Sequence, residues 1–215
     1  MKTELERVLP MDIEARSFGI ITEELKGKEF PEEYGPIIKR VIHTTADFDY
    51  ADNLFFSEGV LEKALDAIRK GADIVTDTQM AKAGINKKVL AKFGGQVHNF
   101  MADEDVAAAA RAQGTTRAAA CMDKAAKLTK PLIFAIGNAP TALVRLYELM
   151  QEELIKPELI IGVPVGFVNV VQSKELILAT DAPYIVARGR KGGSNVAAAV
   201  CNALLYLLDE TRTGK

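Results

Sequence analysis

The sequence predicts an α/β fold: a doubly wound, mainly parallel sheet of five strands in a three-layer αβα sandwich, formed by one domain over residues 1–215. Three observations predict it. Strand-like and helix-like segments alternate five times with short connections, the pattern of βαβ units. The strand segments are continuous apolar runs rather than polar–apolar alternations, as expected when helices cover both faces. No repeat, low-complexity linker or shift in composition divides the chain.

The first 36 residues are charged and interrupted by Pro10, Pro31 and Pro36. Within them Met11 to Leu25 spaces Ile13, Phe18, Ile20, Ile21 and Leu25 as a short helix would. Arg40 to Asp47 reads as the first strand, with β-branched residues around His43. An acidic, aromatic connection follows through Phe56. Ser57 then stands as N-cap to a helix over Glu58–Arg69, whose stripe is Val60, Leu61, Ala64, Leu65 and Ile68. Gly71 marks its stop. Ala72 to Asp77 is the second strand, and Thr78 to Gly84 a helical turn. Residues 85–102, with Gly94, Gly95 and His98, read as a hairpin-like or irregular excursion. Asp103 to Lys127 is an alanine-rich helix broken near Gly114. The remaining strands are Pro131–Gly137, Leu159–Gly166 and Tyr184–Arg188, and the remaining helices Thr141–Leu154, Ser173–Thr180 and Ser194–Leu208. For five strands the flavodoxin-like order 2-1-3-4-5 is the simplest.

Composition excludes several classes. With 48% hydrophobic and 26% charged residues and a net charge of −2, the chain carries no basic field for nucleic acid. No apolar run is long enough to span a membrane. Residues Met1–Arg7 lack a signal-peptide core, so cytoplasmic residence is expected. Cys121 and Cys201 fall in alanine-rich helical patterns without CxxC or Cys–His spacing, which predicts inert packing rather than a metal site.

Chemistry collects where strands end, the usual ligand face of an open α/β sheet. There the sequence places His43-Thr44-Thr45, Asp77-Thr78, Gly137-Asn138-Ala139-Pro140-Thr141, Pro164-Val165-Gly166-Phe167-Val168-Asn169 and Arg188-Gly189-Arg190-Lys191-Gly192-Gly193-Ser194-Asn195. Glycine-rich turns let backbone N–H groups approach a ligand, and helix N-termini behind them favour anions. Neither GxxxxGK[ST] nor a GxGxxG after the first strand is present, and no GxSxG elbow stands out. What remains is a histidine suited to proton donation near neutral pH, facing anion-friendly loops.

At these residues the chain resembles the precorrin-8X (cobalt-precorrin-8) methylmutases of corrin-ring biosynthesis. The likeness runs through Ile13–Phe18, Arg40–Asp47, Val75–Met80, Thr115–Ala119, Ala135–Leu143, Gly162–Val168 and Gly189–Ser194. The resemblance implies a homodimeric isomerase that needs no organic cofactor and moves a methyl group from C11 to C12 of precorrin-8, or of its cobalt form. The products are hydrogenobyrinate and cobyrinate. His43 matches the family's catalytic histidine, the general acid that protonates a ring nitrogen before a 1,5-sigmatropic shift. The implied substrate-binding set comprises Arg16, Ser17, Thr45, Asp77, Thr78 and Met80 from the first half of the chain. From the second half it takes Arg117, the turn Gly137-Asn138-Ala139, the loop Pro164-Val165-Gly166-Phe167 and the turn Gly192-Gly193-Ser194. Arg117 is expected to clamp a peripheral carboxylate. Ser17, Thr45, Thr78, Asn138 and Ser194 are candidate hydrogen-bond donors, and Met80, Pro164, Val165 and Phe167 candidate apolar walls against the macrocycle. His98 is given no role.

Two rivals accompany this reading. A corrinoid carrier would use the same loops without turnover, and would keep its function when His43 is removed. A flavin- or nucleotide-binding protein is disfavoured by the missing phosphate motifs.

Overall fold

The structure, a computed structural model, describes residues 6–10 and 12–209. Part of the Met1–Arg7 segment, and Met11 at the start of the first predicted helix, lie outside the described residues. The chain runs α1 (Ile13–Glu24), a 3₁₀ turn (Glu32–Tyr34), α2 (Gly35–Thr45), α3 (Tyr50–Asn53), β1 (Leu54–Phe56), α4 (Val60–Arg69) and β2 (Asp73–Thr76). It continues through α5 (Gln79–Gly84), α6 (Lys87–Lys92), β3 (Val97–His98), α7 (Glu104–Gln113), α8 (Arg117–Ala125) and β4 (Leu132–Ile136). It closes with α9 (Pro140–Gln151), β5 (Leu159–Gly162), α10 (Val170–Leu178), β6 (Tyr184–Ala187) and α11 (Ser194–Leu208).

The sheet has six strands rather than the expected five, in the order β1-β6-β5-β4-β2-β3. All neighbours pair in parallel except β1, which runs antiparallel along β6 with Leu54 opposite Ala187. Alternate strand residues serve two cores. Ile74, Ile133, Ile161 and Ile185 pack under α2, α4, α5, α6 and α11. Val75, Phe134, Ile136, Ile160 and Val186 pack under α7, α8, α9 and α10. Burial on both faces explains why these strands read as continuous apolar runs.

The largest correction falls on Arg40–Asp47, which is not a strand. It is the second half of α2, followed by a left-handed Ala46 whose N–H bonds the Ile42 carbonyl at 2.7 Å. The decisive residues lie upstream: Ile37 and Ile38 join Val41 and Ile42 in one stripe at helical spacing, all at most 1% exposed. That stripe packs along α11. β-Branched residues lose little by helicity when tertiary burial overrides their intrinsic preference. Pro36 opens this helix instead of interrupting it, as a first-turn proline can.

Two strands lie where the sequence showed none. β1 is only three residues long, and β3 only two. Ser57 is not the cap of α4; Gly59 holds that position with φ +63°. Ser57 instead prolongs the β1–β6 ladder, its N–H bonding the Tyr184 carbonyl and its Oγ accepting the Tyr184 N–H at 2.9 Å. The helix break at Gly114 is present, with φ +65°.

Residues 85–102 hold α6, capped by the Asn86 side chain, and then β3. His98 is fixed there by Asp73, which is buried at the start of β2. Asp73 accepts from His98 Nε2 at 2.8 Å, the Gln96 N–H at 2.9 Å and Lys130 Nζ at 3.1 Å. Burial pushes the Asp73 carboxyl up, but these three donors together hold it below the usual carboxylate range. A depressed acid contributes stability above its unfolded pKa and loses it as pH falls through the folded value. Asp73→Asn should therefore cost about 1–3 kcal/mol at pH 7. It should also flatten the loss of stability that wild type shows below about pH 4, which denaturant melts at a series of pH values will measure.

Candidate active site

The chain reverses its direction across the sheet between β2 and β4: from β2 it passes to β3 on one side, then to β4 on the other. In doubly wound proteins ligands gather outside the strand ends at such a point. Asp77, one residue beyond β2, is 1% exposed. It accepts the N–H groups of Gly137 at 2.9 Å, Asn138 at 2.8 Å and Ala139 at 2.6 Å. Burial raises this carboxyl above the usual carboxylate range, and the three N–H groups pull against that rise. The sequence-predicted binding residue Asp77 thus faces inward, shaping the turn that leads from β4 into α9.

The neighbouring turn is fitted just as closely. A Cβ on Gly137 would lie 2.8 Å from the Gly193 carbonyl and from Ser194 Cα. A Cβ on Gly192, at φ +158°, would lie 2.1 Å from the Val163 carbonyl oxygen. Only glycine permits these approaches. Gly193 is buried and donates its N–H to the Val163 carbonyl at 2.9 Å. Thr78 caps α5 by accepting the Ala81 N–H, and its Oγ1 lies 2.7 Å from Ser194 Oγ. The exits of β2, β4 and β6 and the start of α11 therefore form one connected rim.

His43 lies on α2, whose carboxyl end is tied to the loop before α11. The start of α2 (Gly35, Pro36, Lys39) shares a cleft of about 420 Å³ with Ala203, Tyr206 and Leu207 near the end of α11. At the other end Lys191, just before α11, bonds Asp47 and Asp49, just after α2, at 2.6 Å each. The two helices thus lie antiparallel, and the last turn of α2 stands at the carboxyl edge of the sheet. The Lys191 bond holds the Asp47 carboxyl below its usual range. The His43 ring is exposed and stacks on Phe18 of α1, with centroids 5.4 Å apart and planes 16° from parallel. Phe18 in turn lies under the Arg40 guanidinium at 4.7 Å. Neither ring nitrogen of His43 has a hydrogen-bond partner among the described residues, so both are open to a ligand.

The other sequence-predicted residues separate into distinct positions. Arg16 and Ser17 flank Phe18 on α1; Arg16 is paired with Glu6 at 2.9 Å, and Ser17 Oγ bonds the Ile13 carbonyl. Thr45 Oγ1 donates to the Val41 carbonyl and accepts the Asp47 N–H, so it serves the end of α2. Arg117 is exposed at the start of α8, behind a Thr116 cap that also bonds Thr141 at 2.8 Å. It has no ion-pair partner among the described residues. Asn138 is exposed, and Ala139 half-buried.

Met80, Val165 and Phe167 are 69%, 48% and 81% exposed, whereas Pro164 is buried behind the rim. Gly166 donates its N–H to the Arg190 carbonyl, and the Arg190 guanidinium lies 5.5 Å over Phe167. Reasoning from sequence missed the stacking role of Phe18, although it lay inside the quoted Ile13–Phe18 run, and missed the carboxylate pair that holds Lys191. Both thiols are free and buried. Burial pushes Cys121 up to about 11 and Cys201 to about 12, so neither presents a thiolate near neutral pH.

Fold and rim define a doubly wound α/β protein whose strand ends form a connected rim at the switch point. The family described as precorrin-8X methylmutase matches residues 12–207. The cobalt-precorrin-8 methylmutase of Salmonella typhimurium is 48% identical, over 94% of this chain and 97% of that protein. The one from Priestia megaterium is 45% identical, over 94% and 90%. A solved precorrin-8X methylmutase from Thermus thermophilus superposes with a TM-score of 0.85 at 38% identity, covering 93% of this chain and 98% of that one. The chain belongs to the precorrin-8X methylmutase family, and it is an isomerase of cobalamin biosynthesis that shifts a methyl group within one molecule.

The Asp77 contacts give a direct expectation. Asp77→Asn offers one acceptor oxygen and an NH₂ group to a turn that presents only donors. It should lower stability by about 1–3 kcal/mol. Amide exchange should accelerate at Gly137–Ala139 before the rest of β4.

Proposed function

We propose that the chain converts precorrin-8, or its cobalt form, by moving the methyl group from C11 to C12, with His43 as general acid. The observation that carries this reading is the position of His43: exposed at the carboxyl edge, oriented by Phe18, with both nitrogens open to a ligand. Its proton goes to a ring nitrogen beside the migrating methyl, which makes the adjacent carbons electron-poor. The C11–methyl bond then breaks as the C12–methyl bond forms. No atom is gained or lost, and the rearranged ring releases a proton, so His43 ends as it began.

The rim supplies the binding. Peripheral carboxylates meet Arg117, Arg190 and the first turns of α9 and α11, where unpaired N–H groups favour anions. Met80, Val165 and Phe167 offer the apolar surface a macrocycle face needs. Arg16, Ser17 and Asn138 border this surface. Asp77, Gly137, Gly192 and Gly193 act through the backbone they shape. Apart from antiparallel β1, the strands run β3-β2-β4-β5-β6, which supports reading the parallel part of the sheet as flavodoxin-like in layout.

We take the working form to be a homodimer in the cytoplasm, with the domain spanning the whole chain. Val168, 78% exposed beside this face, is one apolar side chain that a second copy would cover. The described residues include no helix long and apolar enough to cross a membrane.

His43→Gln keeps ring polarity but cannot act as an acid. It should lower kcat by about 10²–10⁴-fold while product affinity stays within a few-fold of wild type. The change in visible absorption on turnover reads the first quantity, and equilibrium titration with hydrogenobyrinate the second. Wild-type-like turnover by this variant would remove His43 from the mechanism. Binding by wild type without turnover of either substrate form would favour a carrier. Arg117→Met should weaken hydrogenobyrinate binding by about tenfold, as loss of one charge-assisted contact of about 1.4 kcal/mol would.

A further inference from the structure

Lys174 is a buried cation that the proposed chemistry does not use. It sits on α10 with 0% exposure. Its Nζ donates to the carbonyls of Gly189 and Lys191, each at 2.8 Å, and it has no carboxylate partner among the described residues. Burial alone lowers its pKa, to about 8. Burying an unpaired ammonium is costly, and a methionine would fill the same channel without that cost. The polar work the ammonium does here is to draw two carbonyls of one loop inward.

That loop joins β6 to α11 and carries Arg190, Lys191 and the Gly192-Gly193-Ser194 turn. Its other restraints surround the Lys174 contacts. The next residue on α10, Glu175, takes the Arg188 guanidinium in bidentate fashion at 2.7 and 3.0 Å. Gly166 bonds the Arg190 carbonyl, and Gly193 bonds the Val163 carbonyl. With the carbonyls of Gly189, Arg190 and Lys191 all engaged inward, the N–H groups of Arg190, Lys191 and Gly192 have no acceptor among the described residues. The Lys191 side chain leaves the loop on the other side, toward Asp47 and Asp49 beside the end of α2.

We propose that Lys174 is a positioning residue: by holding the Gly189 and Lys191 carbonyls inward, it fixes the Arg188–Ser194 loop in the shape that receives the carboxylates of the substrate next to His43. This rests on the reading of the rim as the corrinoid site.

The test compares wild type with Lys174→Met and Lys174→Gln, the second retaining an N–H donor. Three quantities are measured: steady-state kinetics with precorrin-8, the Kd of hydrogenobyrinate, and amide exchange across residues 184–208. K174M should raise KM and product Kd about tenfold or more, with kcat within about threefold. Exchange should quicken at residues 189–194 and not in β6 or the body of α11. K174Q should fall between K174M and wild type. If K174M does not fold, K174Q carries the same comparison. Unchanged loop exchange in the variants overturns the proposal, and so does faster exchange with unchanged KM and Kd. If wild type itself neither binds nor converts the ring, the reading of the site has failed and the proposal falls with it. That outcome is distinct because it shows in wild type before any variant is compared.

Discussion

One buried carboxylate holds the ligand face together. Asp77 leaves β2 at the point where the sheet changes its winding, and grips three successive N–H groups beyond β4. Without it, three donors of the turn beyond β4 would lose their acceptor. With it, the β4 turn lies close enough to the β6 turn that Gly137 and Gly193 meet almost backbone to backbone. The strands on either side of the switch point therefore end in one continuous rim. A carboxylate is used inside this rim to gather backbone donors at its turn.

Helix α2 depends on that rim and carries His43. Its apolar stripe packs against α11, whose small residues Ala197, Ala198 and Ala199 allow close approach. The direction of α11 is set by the Gly193–Ser194 turn, and the end of α2 by Lys191 bonded to Asp47 and Asp49. His43 thus takes its position from two independent restraints, a helix–helix seam and an ion-pair clamp, and takes its ring plane from Phe18. The sheet supplies a rigid edge, and a helix carries the histidine beside it.

The sequence disclosed the parts of this design that are local. Strands buried on both faces are conspicuous runs, so β2, β4, β5 and β6 could be read, as could the break at Gly114. The glycine turns after β4 and β6 could be recognised because close backbone approach demands glycine. What could not be read depended on distant partners. The last turns of α2 resemble a strand when seen without Ile37 and Ile38, and nothing local reveals α11 as their partner. β1 and β3 are too short to carry periodicity, and exist because β6 and β2 each have an unfilled edge. The candidate residues could be named but their contacts could not: the sequence could not show that Asp77 turns inward, or that Thr45 is spent on a helix end. The likeness to a known family supplied His43 its role, but the element that carries it emerged only from the fold.

The clamp between Lys191 and the Asp47–Asp49 pair spans 142 and 144 residues of sequence, and β1 likewise awaits β6 as its partner. The early part of the chain therefore cannot complete the catalytic corner by itself. During synthesis, α2 and β1 leave the ribosome with their apolar faces uncovered and stay so until β6 and α11 follow them. Contacts of such long separation form late and slowly. The position of His43 beside this clamp is thus fixed only after Lys191 has been made and has met its two carboxylates.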